Sequence, residues 1–316
     1  PTFSGDLSLT AASGAVIVDD TGLTVSGDLT IDAEDLRDSD ADVTLTADTA
    51  NITLRNGGAQ ARDWATTFDE LVLDITGTGD FNLTNAGALI LTSVNTDGNA
   101  SFTTSSGDLT LSAGSIDGNA AFSAAGDLVM TSAPTITGDL SLTTVGSGDA
   151  IVSNAGLSAG GNLTVDADDL RDSDGGELTL VADNANITLR DTGAQARAWT
   201  TTFDELALNI AGTGDFSLTN TDTLILSSIT TGGNASVATL SGGLTLGTGT
   251  IGGNAAFTAA DGDLEFINAP TFSGDLSLTA NSGAVIVDDL GLIVTGDLTI
   301  DAQDLRDSNA DLTLEA

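Results

Sequence analysis

Cysteine, histidine, lysine and tyrosine do not occur anywhere in the 316 residues. Their absence excludes disulfide staples and thiolate chemistry, and removes most of the side chains that serve enzymes as nucleophiles, bases or Schiff-base amines. Proline is nearly absent at 3 residues, and aromatic side chains make up only 4%. A core must therefore be thin and filled by Val, Ile, Leu, Ala and a few Phe. No apolar run reaches 18 residues, which excludes a membrane-spanning helix. The chain opens at Pro1 without a charged-then-apolar leader, so any secretion signal is expected outside this sequence.

What is present is acid, glycine and alternation. Asp and Glu total 46 against 7 cations, all of them Arg, for a formal charge of −39. Such a surface repels nucleic acid and anionic membranes. It favours solubility, resistance to sticking and a loose attraction for divalent cations. Disorder is the first alternative for so acidic a chain, but 40% hydrophobic residues in regular alternation supply the apolar content that disordered segments lack.

Self-similarity decides the architecture. PTFSGDLSLT at Pro1 returns as PTITGDLSLT at Pro134 and as PTFSGDLSLT at Pro270. The long repeats are thus 1–133, 134–269 and a partial 270–316, within one continuous segment. Ending in mid-repeat, with no polar cap at either end, leads us to expect a longer parent chain with further copies of the repeat as neighbours. A shorter unit runs inside each long one, marked by Gly then Asp or Asn then an alternating stretch, as at Gly5, Gly27, Gly79, Gly98, Gly118 and Gly138. Most marks stand about 20–22 residues apart, the size of one solenoid coil. Two wider gaps, Gly27 to Gly79 and Gly161 to Gly214, are read as two coils each plus a loop insertion, at 56–70 and 191–205.

GDLTI (27–31), VTLTA (43–47) and NITLR (51–55) alternate apolar with polar at period two, the pattern of half-buried strands. The stretch 33–42 is the one place where a short helical turn is expected. A sandwich would share the strand spacing, but near-identical successive units suit a parallel stack in which Leu lies over Leu at ~4.8 Å. The expected fold class is all-β, a parallel β-helix of about 14 coils and ~67 Å. The tandem GDLTL and GNASF units resemble the repeats of filamentous-haemagglutinin-type adhesins, large exoproteins exported by Gram-negative bacteria through two-partner secretion. That resemblance implies a right-handed β-helix shaft, extracellular or at the cell surface.

Two sets of residues are candidates for contact. The inserted stretches hold both tryptophans, with arginines beside them: Arg55, Arg62, Trp64 and Phe68, and again Arg190, Arg197, Trp199 and Phe203. Exposed Trp beside Arg on a protruding loop suits docking of a surface glycan, a neighbouring filament or a host protein. The competing expectation is that each Trp folds back onto the apolar flank while the arginines pair with local Asp. The second set is acidic: Asp35, Asp38, Asp40 and Asp42, echoed by Asp168, Asp169, Asp172 and Asp174. Alternate carboxylates can offer oxygen ligands to weakly bound Ca²⁺, but neither an EF-hand nor a calcium-roll pattern is complete. A solvated acidic corner neutralised by Arg37 and Arg171 is the plainer reading, with no specific metal site and no cofactor.

Catalysis is not expected. Parallel β-helices include polysaccharide-active enzymes, yet here the carboxylates recur in every long repeat where a catalytic cleft normally occurs once. Flat Thr arrays for ice or mineral binding are disfavoured because outward Thr mixes with Ser, Asn and Asp. The sequence therefore points to a non-catalytic structural shaft, with a ligand-binding adhesin module as the alternative.

Overall fold

The computed structural model describes residues 1–19, 21–38, 43–59, 61–268, 270–287, 292–307 and 314–315. The protein is all-β, with parallel strands stacked as a β-solenoid of about 15 turns. Its chain divides into two compact units, Pro1–Gly161 and Asn162–Ala316.

In the first unit, Leu7–Thr10 starts a ladder in which Leu9 lies beside Ile31, Ile31 beside Ile52 and Ile52 beside Leu73. A second ladder carries Val43, Trp64, Leu83, Phe102, Phe122 and Leu142, each in register with the next. All six are buried. The period-two pattern sends these positions inward, and the parallel register superposes them. Contacts among the inward rings include nearly parallel, stacked Phe102–Phe122 at 5.7 Å between ring centres within this column, and Phe81–Phe102 at 5.5 Å between it and the column beside it. Each such pair adds about 0.5–1.5 kcal/mol beyond area burial.

The second unit repeats the scheme. Leu178, Trp199, Leu218, Val237, Phe257 and Leu278 form one inward column. Arg197, Phe216, Ala235, Ala255 and Leu276 form the column beside it.

Two sequence expectations need correction. Residues 56–70 and 191–205 are not loop insertions, because Arg62–Thr67 and Arg197–Thr202 are six-residue strands in register with the coils before and after them. These coils lack the Gly-Asx mark and place Arg at an inward position, which hid their alternation. The helical turn expected within 33–42 is also absent where the chain is described, since Asp35–Asp38 is a strand paired with Ala15–Val18.

The Gly-Asx mark has a mechanical cause. In the first unit, Asn99 Oδ1 accepts the Asn119 N–H at 2.8 Å, and Asn119 Oδ1 accepts the Asp139 N–H at 2.8 Å. In the second, Asn234 receives Asn254, Asn254 receives Asp275 and Asp275 receives Asp297 in the same way. Each side chain passes through the space that a Cβ on the following coil's glycine would fill. A Cβ on Gly138 would stand 2.3 Å from Asn119 Oδ1.

The long repeat does not contain a whole number of coils. Leu7 and its copy Leu140 both belong to the first unit, yet Leu7 stacks on Leu29 while Leu140 stacks on Ala120, in a different sheet. The second unit behaves alike: Leu163 pairs with Ala185, whereas its copy Leu298 pairs with Leu276 in another ladder.

Gly138→Ala should destabilise the fold by about 1–3 kcal/mol through this overlap. Gly87→Ala, where a Cβ meets nothing within 4 Å, should change stability by less than about 0.5 kcal/mol. Urea unfolding of the two variants checks the contrast.

Candidate functional site

Of the residues singled out in the sequence, Arg62, Trp64 and Phe68 in the first unit and Arg197, Trp199 and Phe203 in the second gather at one place and point inward. Arg62 and Arg197 occupy positions on the strands Arg62–Thr67 and Arg197–Thr202 that the alternation directs into the interior. Each is held by a carboxylate from the preceding coil. Arg62 Nε donates to Asp35 Oδ1 at 3.2 Å, and Arg197 Nε donates to Asp169 Oδ1 at 2.7 Å. The same oxygens accept the main-chain N–H of Leu36 and Leu170. In the second unit Arg197 also donates from Nη1 to the Gln195 carbonyl at 3.0 Å, and its Nη2 lies 3.7 Å from Asp191 Oδ2. Asp35 has Arg37 at 3.3 Å as a second cation.

Trp64 and Trp199 lie two residues further along these strands and are only 3% and 2% exposed. Each meets a phenylalanine edge-on: Trp64 with Phe81 at 4.9 Å, Trp199 with Phe216 at 5.1 Å. Phe68 and Phe203 are buried at the following corner. The reading of these residues as an exposed contact loop is therefore corrected. Parallel stacking sets Val43 and Leu83 on either side of Trp64, and Leu178 and Leu218 on either side of Trp199, and burial of so much apolar area outweighs display. Arg55 and Arg190 remain at the surface, ion-paired with Asp32 and Asp166.

The acidic set is dispersed. Asp35, Asp169 and Asp172 are buried, the first two facing arginine, and Asp172 Oδ1 accepts the Asp174 N–H at 2.7 Å. Asp38 ends the strand Asp35–Asp38, and Asp168 accepts the Asp191 N–H through its main-chain carbonyl. Asp40 and Asp42 lie outside the described residues. Among the described residues no group of three or more carboxylates is placed to hold a metal ion.

The sequence reading missed Asn85 and Asn220. Both are fully buried in the coil that follows the arginine strand. Asn85 Oδ1 accepts the Phe68 N–H at 2.8 Å and the Thr66 hydroxyl at 2.9 Å, while Nδ2 donates to the carbonyls of Phe68 and Gly87. Asn220 makes the matching bonds to Phe203, Thr201 and Asp222. A buried carboxamide satisfied on both sides lets the backbone turn the corner after Phe68 and Phe203 without orphaned polar groups. The available signal was an Asn at an inward position of an alternating strand, in FNLTN and FSLTN.

The second unit carries an outward groove. It measures about 680 Å³ and runs across Ala198, Ser217, Ser236 and Ala256, between the Asp215–Asn234–Asn254 corner and the rim at Gly175–Glu177. The first unit has Asp63 and Asn82 at the places of Ala198 and Ser217, and Asn82 Nδ2 donates to Asp63 Oδ1 at 2.7 Å across that floor. The groove offers carboxylates, carboxamides and hydroxyls to solvent, with its only arginine buried. No family model, curated protein or solved structure matches the chain.

Asp169→Asn leaves Arg197 short of its charge partner in a buried setting and should cost about 3–5 kcal/mol. Pairing Asp169→Leu with Arg197→Met should recover most of that loss, as a double-mutant cycle in urea would show. Asn220→Ala strands the Phe203 N–H and carbonyl and should cost at least about 1–3 kcal/mol in the same assay.

Proposed function

We propose that this chain is a non-catalytic length of a repeat-built shaft, belonging to an extracellular filament or a cell-surface adhesin of the filamentous-haemagglutinin type. The observation that carries the reading is the continuity of the ladders: within each unit, main-chain hydrogen bonds run from coil to coil along the stacking direction, and Asx side chains add to them at the Gly-Asx corners. Adding repeats to such a stack adds reach without requiring a new core, because stability in repeat proteins accumulates from neighbour to neighbour. The strong negative charge keeps such shafts apart from each other and would draw divalent cations loosely to outward carboxylates.

A ligand-binding adhesin module is the alternative, and the burial of Trp64 and Trp199 takes away the residues first assigned to that role. In that case outward residues, such as those of the groove beside Glu177, would meet the ligand.

Pulling single molecules by their ends tests the mechanical role. Coil-by-coil unravelling should release about 70 Å of chain per ~20-residue turn. One featureless extension at low force would reject the shaft. Immunogold labelling of intact producing cells checks the surface location; labelling confined to permeabilised cells would reject it.

A further inference from the structure

Asn-Gly occurs once in the chain, at Asn56-Gly57, directly after the strand Thr49–Leu54 and Arg55. We propose that Asn56 is a site of spontaneous deamidation, and that its conversion to aspartate supplies the first unit with the carboxylate that Asp191 places beside Arg197 in the second.

Three observations converge on the residue. First, the Asn56 carboxamide is already engaged in the geometry that the reaction uses. Its Oδ1 accepts the Gly58 N–H at 3.2 Å, so the side chain curls over the Gly57 peptide with a donor on the oxygen that becomes negative when Cγ is attacked. Second, the attacking atom is available. Gly57 is exposed, its N–H donates no hydrogen bond among the described residues, and a Cβ built on it would meet nothing within 4 Å. Meanwhile the Asn56 main chain is anchored, its N–H donating to the Glu34 carbonyl at 2.8 Å.

Third, the second unit shows the product in place. Asp191 stands where Asn56 does, its N–H donates to Asp168 at 2.8 Å as Asn56 does to Glu34, and its Oδ1 accepts the Gly193 N–H at 2.8 Å. Its remaining oxygen, Oδ2, lies 3.7 Å from Arg197 Nη2. The same backbone therefore accommodates a carboxylate at this position and turns it towards the buried arginine.

The chemistry needs only water. The Gly57 nitrogen, losing its proton to solvent base, bonds to Asn56 Cγ; the Cγ–Nδ2 bond breaks, and ammonia leaves with a proton from water. Water then opens the resulting five-membered imide. Cleavage of the new Cγ–N bond restores the main chain with aspartate at 56, and cleavage at the main-chain carbonyl gives isoaspartate. Both exchange NH for O.

Arg55 and Arg62 flank the site, so cleavage after arginine releases residues 56–62 as one peptide, with 191–197 from the second unit as an internal reference. On holding the full chain in mildly alkaline buffer, mass spectrometry should show peptide 56–62 gaining about 1 Da with time. The folded chain should convert at least as fast as the urea-unfolded chain, and at least about tenfold faster than any other asparagine of the folded protein. Conversion slower in the folded chain than in urea would overturn the site. The Asn56→Asp variant should melt above the parent, with the gain lost in an Arg62→Leu background. A midpoint at or below the parent's would overturn the role assigned to the product.

Discussion

Within each unit, the described coils depend on their neighbours for both hydrogen bonds and core. A parallel strand cannot close its own hydrogen bonds, and a turn of about 20 residues cannot enclose a core of its own. Stacking supplies both at once, since the coil before and the coil after provide the ladder partners and the apolar surface. The constraint is severe: residues in one column must tolerate each other at ~4.8 Å spacing, hence the repetition of Leu, Ile, Phe and Ala inward and the small polar residues outward. It also explains the glycine at marks such as Gly118, Gly138, Gly253, Gly274 and Gly296, where the Asx side chain of one coil crosses into the room of the next.

Polar groups that enter the interior obey the same rule. Arg62 and Arg197 would be costly among apolar columns, and each is met by an aspartate that the previous coil brings to the right height. Asn85 and Asn220 take over the corner where a simple ladder would leave Phe68 and Phe203 backbone groups unpaired. These are the places where the stack depends on specific residues instead of a repeated pattern. Breaking one partner there costs more than trimming a methyl group elsewhere.

How much of this could be read from the chain follows from where each signal resides. Alternation at period two and the recurring Gly-Asx pairs lie within single coils, so strands, coil length and parallel stacking were legible. The coils at 62–67 and 197–202 escaped because an inward Arg breaks the apolar alternation and no Gly-Asx pair marks their start. Trp64 and Trp199 were ambiguous for a physical reason: a local sequence states that a residue is large and apolar, whereas the wall that buries it comes from Val43, Leu83, Leu178 and Leu218 one coil away. The pairing of Asp35 with Arg62 likewise spans a full turn, and nothing in either segment names the other.

The mismatch between repeat length and coil length has its own consequence for recognition. Since Leu7–Thr10 and Leu140–Thr144 carry almost one sequence but belong to separate sheets, a partner lying flat against one of them does not meet the other. A surface motif carried at both places thereby faces two sides of the first unit. Duplication of the long repeat, which would repeat an epitope along a single stripe if the two lengths were commensurate, sets its two copies in the first unit on separate faces instead, open to partners that approach from different directions.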